Sequence, residues 1–269
     1  MKAHRRFFSG LFAAALLGLA GCASQVQPTP ADRNAVAVLA PTGVLRVGGY
    51  PGSPTSLVRD AKTGKMAGVA YDLGTALGQR MGVPVAIVEF SRVAEVIEGL
   101  KTGKVDFTFT NATAARARDV DFTPHLVQLE LGLLVPSPSP ITSLADADRP
   151  GIRIGVSEGG SSHTALPQKL KNATVVPVAS LKLAQQMLRY KTLDAFATNK
   201  GILFEMADDL PGFQVLADRW GTESLAIAIP KGREAGLQYL DTFSREVRQS
   251  GALQAMVARS GLRGIAKAD

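Results

Sequence analysis

From Val44 onward the chain alternates between two hydrophobic periods. Short runs rich in Val, Ile, Leu and Phe predict strands at residues 45–48, 85–90, 105–110, 152–156, 174–178 and 194–198. Between them the apolar positions fall at helical spacing. Val69, Leu73, Leu77 and Met81 form one stripe, stopped by Gly82-Val83-Pro84, and Val93, Ile97 and Leu100 form another, from a Ser91 cap to Gly103. Strand–helix–strand alternation with such short links predicts parallel sheets covered on both faces. Two further apolar runs, 131–135 and 225–230, are followed by no helix of this pattern and are read as strands crossing between lobes. Near the end, Leu237, Leu240, Phe243 and Val247 mark a helix that stops at Gly251, and Leu253, Met256 and Val257 mark a shorter one.

The pattern also repeats. Leu100-Lys101 ahead of Val105-Asp106-Phe107-Thr108-Phe109-Thr110-Asn111 matches Leu188-Arg189 ahead of Leu193-Asp194-Ala195-Phe196-Ala197-Thr198-Asn199, 88 residues on. Leu45-Arg46-Val47-Gly48 matches Ile152-Arg153-Ile154-Gly155 at an offset of 107. Two βαβαβ units in tandem follow, not a solenoid, which needs a third copy.

The N-terminus belongs to neither unit. Lys2, Arg5 and Arg6 precede a run, 7–20, that is apolar apart from Ser9 and two glycines, which is the pattern of an export signal and too short to span a bilayer comfortably. It ends in Leu19-Ala20-Gly21-Cys22, which resembles the bacterial lipoprotein box. That resemblance implies lipidation at Cys22 and a membrane anchor. Cys22 is the sole cysteine, so no internal disulfide is available to the rest. Residues 23–41 begin polar and proline-containing and are read as a tether, with a short helix over 35–40.

With 46% hydrophobic and 20% charged residues, the remainder is a folded globular chain. Residues 1–22 hold three of the 30 basic side chains and none of the 23 acidic ones, leaving a net charge of +4. Those charges are scattered singly and without aromatic interleaving, which speaks against nucleic-acid binding.

Most catalytic signatures are missing. Only His125 and His163 follow residue 22, with no cysteine partner, so no metal site is expected. Thr63-Gly64-Lys65-Met66 and Thr102-Gly103-Lys104-Val105 lack the upstream glycine and following hydroxyl of a phosphate loop, and no dinucleotide fingerprint occurs. The chain is read as no enzyme and as needing no cofactor. Polar residues instead gather where strands end: Thr110-Asn111, Ser157-Glu158-Gly159-Gly160-Ser161-Ser162 and Thr198-Asn199. Ligands of open α/β sheets sit at such ends. The Gly-Gly-Ser-Ser turn reads either as an anion cradle of backbone N–H groups or as a plain capped turn. Arg116 and Arg118, taken alone, read as solvated or paired with Asp119 and Asp121.

Several segments together resemble the bacterial extracellular solute-binding proteins of family 3, the amino-acid-type receptors of ABC importers. They are Gly43 to Gly48, Gly64 to Leu73, Gly103 to Asp106, Thr113-Ala114-Ala115-Arg116-Ala117-Arg118-Asp119-Val120-Asp121-Phe122-Thr123, Val156 to Ser161, Leu193 to Ala195 and Ser250 to Leu253, in the family's order over about 42–262. The resemblance implies a periplasmic-binding-protein-like type II fold: two parallel-sheet α/β lobes joined by two crossing strands around a ligand cleft. On the sequence, lobe 1 spans 42–134 with 228–269 returning to it, and lobe 2 spans 135–227. It further implies a small-molecule ligand, an ABC permease complex as partner, a monomer, and a place in the periplasm or at the cell surface. By the same resemblance Arg116 grips a ligand carboxylate, Asn111 stands at a Ser/Thr contact, and Gly160, Ser161 and Ser162 meet the same carboxylate.

Two departures shape the expected ligand. Asn199 stands where the family has its amine-binding aspartate, and Tyr50-Pro51-Gly52-Ser53 replaces the usual acidic and aromatic residues. A buried ammonium without a carboxylate is costly. The expectation is therefore a small carboxylate or other organic anion, not an α-amino acid held by its ammonium, with Glu158 as the one candidate counter-charge. Two other classes stay open: a cyclohexadienyl-dehydratase-like enzyme, for which His125 and Glu158 are candidate acid–base groups with no pairing visible between them, and a ligand-sensing subunit of a membrane complex.

Overall fold

The computed structural model describes residues 30–59 and 63–267. The export signal, Cys22 and residues 23–29 lie outside the described residues. Residues 30–41 are not a tether. Pro30–Leu39 is a helix, α1, with Ala35 and Leu39 buried four residues apart on one face. Leu39 packs on Gly236, where an added Cβ would stand 2.8 Å from it, so the glycine allows the two helices to approach.

The first unit runs β1 (Leu45–Gly49), a short hairpin of β2 (Val58–Arg59) and β3 (Met66–Ala67), α2 (Val69–Met81), β4 (Val85–Glu89), α3 (Val93–Lys101) and β5 (Thr108–Asn111). α2 stops at Gly82, which is left-handed (φ 69°) and returns its N–H to the Gln79 and Gly78 carbonyls. α3 has Arg92 rather than Ser91 at its N-cap position, with no side-chain cap, and Glu95 Oε2 accepts the Ser91 N–H at 3.0 Å. Next come β6 (Val120–Phe122) and the long β7 (Val127–Pro136). The second unit is α4 (Leu144–Ala147), β8 (Arg153–Ser157), α5 (Ser161–Ala165), β9 (Thr174–Val178), α6 (Leu181–Arg189), β10 (Ala195–Asn199), α7 (Lys200–Asp208) and β11 (Phe213–Val215). β12 (Gly221–Pro230) leads back to α8 (Glu234–Gln249) and α9 (Ala252–Arg259).

The sheets are not parallel throughout. β1 and β4 pair in parallel, and so do β10–β8 and β8–β9. β7 and β12, however, pair antiparallel with each other, with β10 and with β5, and so join most strands into one mixed sheet of order β5-β12-β7-β10-β8-β9. Only that pairing satisfies the backbone of two long strands running in opposite directions between the lobes.

The crossing strand β7 changes core midway, and the chain does so again around the start of β12, after Trp220. Val127 and Leu129 of β7 lie in a core with Leu45, Leu73, Phe107 and Leu240, while Leu131, Leu133 and Val135 lie in another with Ile154, Val156 and Trp220. β12 returns the other way, with Leu225, Ile227 and Ile229 in the first core. The change-over thus falls near residues 130 and 223, about four residues before the expected 134/135 and 227/228. In β7 apolar residues occur on both sides of the change-over, so the run itself carries no mark of which core it faces.

The repeat has a physical counterpart. Asp106 accepts from Arg46 N (3.2 Å), Nε (2.7 Å) and Nη2 (2.8 Å). Asp194 accepts from the same three atoms of Arg153 at 2.8, 2.9 and 3.0 Å. In each unit a bidentate arginine at the start of the first strand thus fastens the start of the third.

Candidate functional site

The cleft is where the ends of the strands from both lobes meet. Tyr50, Phe109, Thr110, Asn111 and Arg116 approach from the first lobe. Ser157, Gly160, Ser161, Ser162, Thr198, Asn199 and Ile202 approach from the second, and Glu223 and Leu225 of β12 line the space between. Seven of the eight residues singled out for ligand binding, namely Tyr50, Asn111, Arg116, Gly160, Ser161, Ser162 and Asn199, thus border one cavity.

The local structure explains each placement. Arg116 follows β5 in a tight turn: Thr113 Oγ1 accepts the Arg116 N–H (3.2 Å), and a single 3-10 turn, Arg116–Arg118, follows. Arg116 Nη1 then donates to Thr110 Oγ1 (2.9 Å) and to the Asn111 carbonyl (3.1 Å). Arg118, two residues on, is exposed. Gly160 is the N-cap of α5, which begins at Ser161, so the first N–H groups of that turn have no intrahelical acceptor. Asn199 is the N-cap of α7, its Oδ1 accepting from Ile202 N at 3.0 Å.

Glu158 is not in the cavity. Its carboxylate sits 3.4 Å from Arg92 Nη1, a pair that joins the two lobes outside the ligand site. Beside it Gly159 touches Ala94, where a Cβ would come within 2.6 Å, so the lobes meet closely here. His125 is exposed and, like Glu158, does not line the cavity.

The residue that the sequence reading missed is Glu223. It is 7% exposed, accepts from Asn199 Nδ2 (2.8 Å) and Ser161 Oγ (3.1 Å), and faces Arg116 across the cavity. One signal was present: Glu223 is two residues before Leu225, in phase with an apolar face. Burial pushes its carboxyl up from the usual range, opposed by the charge of Arg116 and by the bonds from Ser161 and Asn199. Burial lowers the Arg116 guanidinium, opposed by Glu223 and Tyr50, and raises the Tyr50 phenol. The expectation that the cleft offers an ammonium no carboxylate is therefore overturned: the carboxylate comes from a crossing strand instead of from position 199.

The inner cavity measures about 30 Å³, which holds a few waters' worth of polar atoms. An adjoining cavity of about 600 Å³ shares Asn111, Arg116, Gly160, Ser161 and Glu223, and adds Ala112, Thr113, Leu131, Ala165 and Gln168 among others. Among the described residues, Arg116 and Glu223 are the only charged ones lining either space.

Comparison with known proteins places this geometry. An ABC transporter glutamine-binding protein of Bacillus subtilis is 22% identical over 198 residues, covering 72% of each chain. A glutamine-binding protein of Geobacillus stearothermophilus is 23% identical over 231 residues, covering 80% of this chain and 88% of its own. Among solved structures, an ancestral amino acid-binding protein, a precursor of cyclohexadienyl dehydratase, superposes with a TM-score of 0.73 at 25% identity, covering 83% of this chain and 98% of that one. Type II periplasmic binding proteins thus share the two-lobed fold described above. The family model matches residues 45–261, from β1 through α9, and the chain belongs to the bacterial extracellular solute-binding proteins, family 3.

Proposed function

We propose that this chain is the substrate-binding component of an ABC importer and that its cleft takes an amino acid with an uncharged side chain. The observation that carries the reading is Arg116, held by Thr110 and Asn111 with its guanidinium facing the cavity opposite the Gly160–Ser162 turn. A planar guanidinium matches a carboxylate bidentately. The turn adds hydroxyl and backbone donors from the other lobe, so a carboxylate between them is fully held only when the lobes meet. Stabilising the closed form in this way is what couples capture to closure. Beyond Arg116 and Glu223 the walls hold no third charge, which disfavours Lys, Arg, Asp and Glu as ligands. Two relatives named for glutamine agree with a neutral side chain.

Calorimetric titration of the twenty amino acids, several dicarboxylates and other small anions tests this. At least one amino acid with a neutral side chain is expected to bind, with charged ones at least tenfold weaker. A ligand at a hundred times its Kd adds about 2.7 kcal/mol of stability, which a melting curve resolves. Binding of dicarboxylates alone overturns the reading, and turnover of prephenate or arogenate transfers the cleft to the dehydratase class.

The anchor is a separate part of the proposal. Replacing Cys22→Ala is expected to release the protein from membranes into the soluble fraction and to abolish acyl mass. If the variant pellets with membranes as the parent does, the protein is held there by something else.

A further inference from the structure

We infer that Glu223, reaching the cleft from the crossing strand β12, is the receptor for the ligand's ammonium group, and that Asn199 orients it rather than binding the amine itself. The inference rests on the amino-acid reading above and assigns the second half of the zwitterion.

Four observations converge. Glu223 is more than nine-tenths buried, and its contacts, Ser161 Oγ and Asn199 Nδ2, are neutral donors. Each uses one carboxylate oxygen, and a carboxylate has about four acceptor sites, so two remain directed at the cavity. Asn199 carries no charge, one lone pair of its Oδ1 caps α7 at Ile202 N, and its Nδ2 donates to Glu223, so it offers an ammonium a single neutral acceptor site at most. Arg116 faces Glu223 across the cavity but spends Nη1 on Thr110 and Asn111. The two charges therefore stand apart as the poles of a zwitterion site.

The pairing explains the amide at 199. An aspartate there could cap α7 equally well, but it would set a second carboxylate within hydrogen-bond distance of Glu223. An asparagine caps with its oxygen and donates with its nitrogen, and it thereby fixes the rotamer of the acid. Glu223 also stands where β12 passes from one core to the other, opposite Leu129 of β7. Ammonium recognition is thus placed on the hinge, whereas the carboxylate donors are divided between the lobes.

The test compares each amino acid with its des-amino carboxylic acid on wild type, Glu223→Gln and Glu223→Asp, by calorimetry and melting. Glutamine is isosteric with glutamate and keeps an acceptor for Asn199. Glu223→Gln is expected to weaken amino acids by about thirtyfold or more while leaving des-amino acids within about threefold, so that discrimination between them collapses. Glu223→Asp keeps the charge one methylene short and is expected to fall between. A merely structural role would weaken both ligand sets alike and would lower the melting temperature of the unliganded protein. If Glu223→Gln keeps amino-acid affinity, or if wild type prefers des-amino acids, the inference is overturned while the Arg116 site stands. If wild type binds neither set, the amino-acid reading fails and this inference with it.

Discussion

Arg116→Ala is expected to weaken amino-acid binding by about thirtyfold to several thousandfold, the largest loss of any single change in the cleft. Removing one member of a buried, hydrogen-bonded charge pair costs about 2–5 kcal/mol, and each 1.4 kcal/mol is tenfold in Kd. The guanidinium lies against Thr110 and Asn111 at the end of β5, already oriented, so little entropy is lost when a carboxylate joins it. Arg116→Lys is expected to fail nearly as badly, since an ammonium cannot reproduce the two-pronged contact. Arg118 is the control: it is exposed and does not line the cavity, so Arg118→Ala is expected to leave affinity within about twofold. Calorimetry with the best amino acid of the panel decides the matter. A greater loss from Arg118→Ala than from Arg116→Ala would mean that the carboxylate is held elsewhere.

The second large effect concerns stability. Asp106→Asn is expected to destabilise the protein by about 3–5 kcal/mol, because Asp106 is fully buried and neutralises two arginines at once. Arg46 gives it three hydrogen bonds, and Arg233, beside the start of α8, gives a fourth at 3.1 Å. Without the charge these guanidinium groups face each other in a half-buried space. Asp194→Asn makes the matching change in the second unit, where the pair is open to water and Arg153 is 41% exposed. There the expected cost is about 1 kcal/mol or less. Urea midpoints of the two variants, measured side by side, read the difference. The acid response of the second pair has a definite sign. Arg153 holds the Asp194 carboxyl below its usual value, so the pair's contribution is complete above the unfolded pKa of about 3.9. It is lost as pH falls through the lowered folded value. Equal midpoint shifts would show that burial of Asp106 adds nothing to the bond.

How much of this was readable beforehand differs from element to element. The 69–81 helix was legible to the residue, because an apolar stripe, a left-handed glycine and a proline all mark the same end. The second strand of the repeat was legible because Arg153 and Asp194 copy Arg46 and Asp106. The first helix was read only as a short stretch over 35–40 within a tether, whereas it runs from Pro30 to Leu39. Its buried face is only Ala35, Leu39 and Ala40, and its partner, Gly236, lies some two hundred residues away. Seven of the expected ligand residues share one cavity: the strand-end rule pointed to Asn111, Gly160, Ser161, Ser162 and Asn199, and the family resemblance to Arg116 and Tyr50. Glu158 was misjudged because residues 157 and 158 of the same turn point to different places, one at the ligand space and one at Arg92.

The amino-acid sequence by itself determined the two-unit plan and the end of the 69–81 helix, while the role of Arg116 was read from the family resemblance. The plan is written in periodicity and a repeated pattern, and the helix end in turn chemistry within a few residues. The charge of the ligand site was decided only by tertiary structure. In the sequence Gly221-Thr222-Glu223-Ser224 reads as polar residues before an apolar strand, with nothing to distinguish this glutamate from others. Its meaning depends on β12 crossing between lobes, which turns the face shared by Glu223 and Leu225 into the cleft and carries the carboxylate to Asn199 and Ser161. A contact between strands that are distant in the chain is set by how whole sheets pack, and no local pattern encodes it.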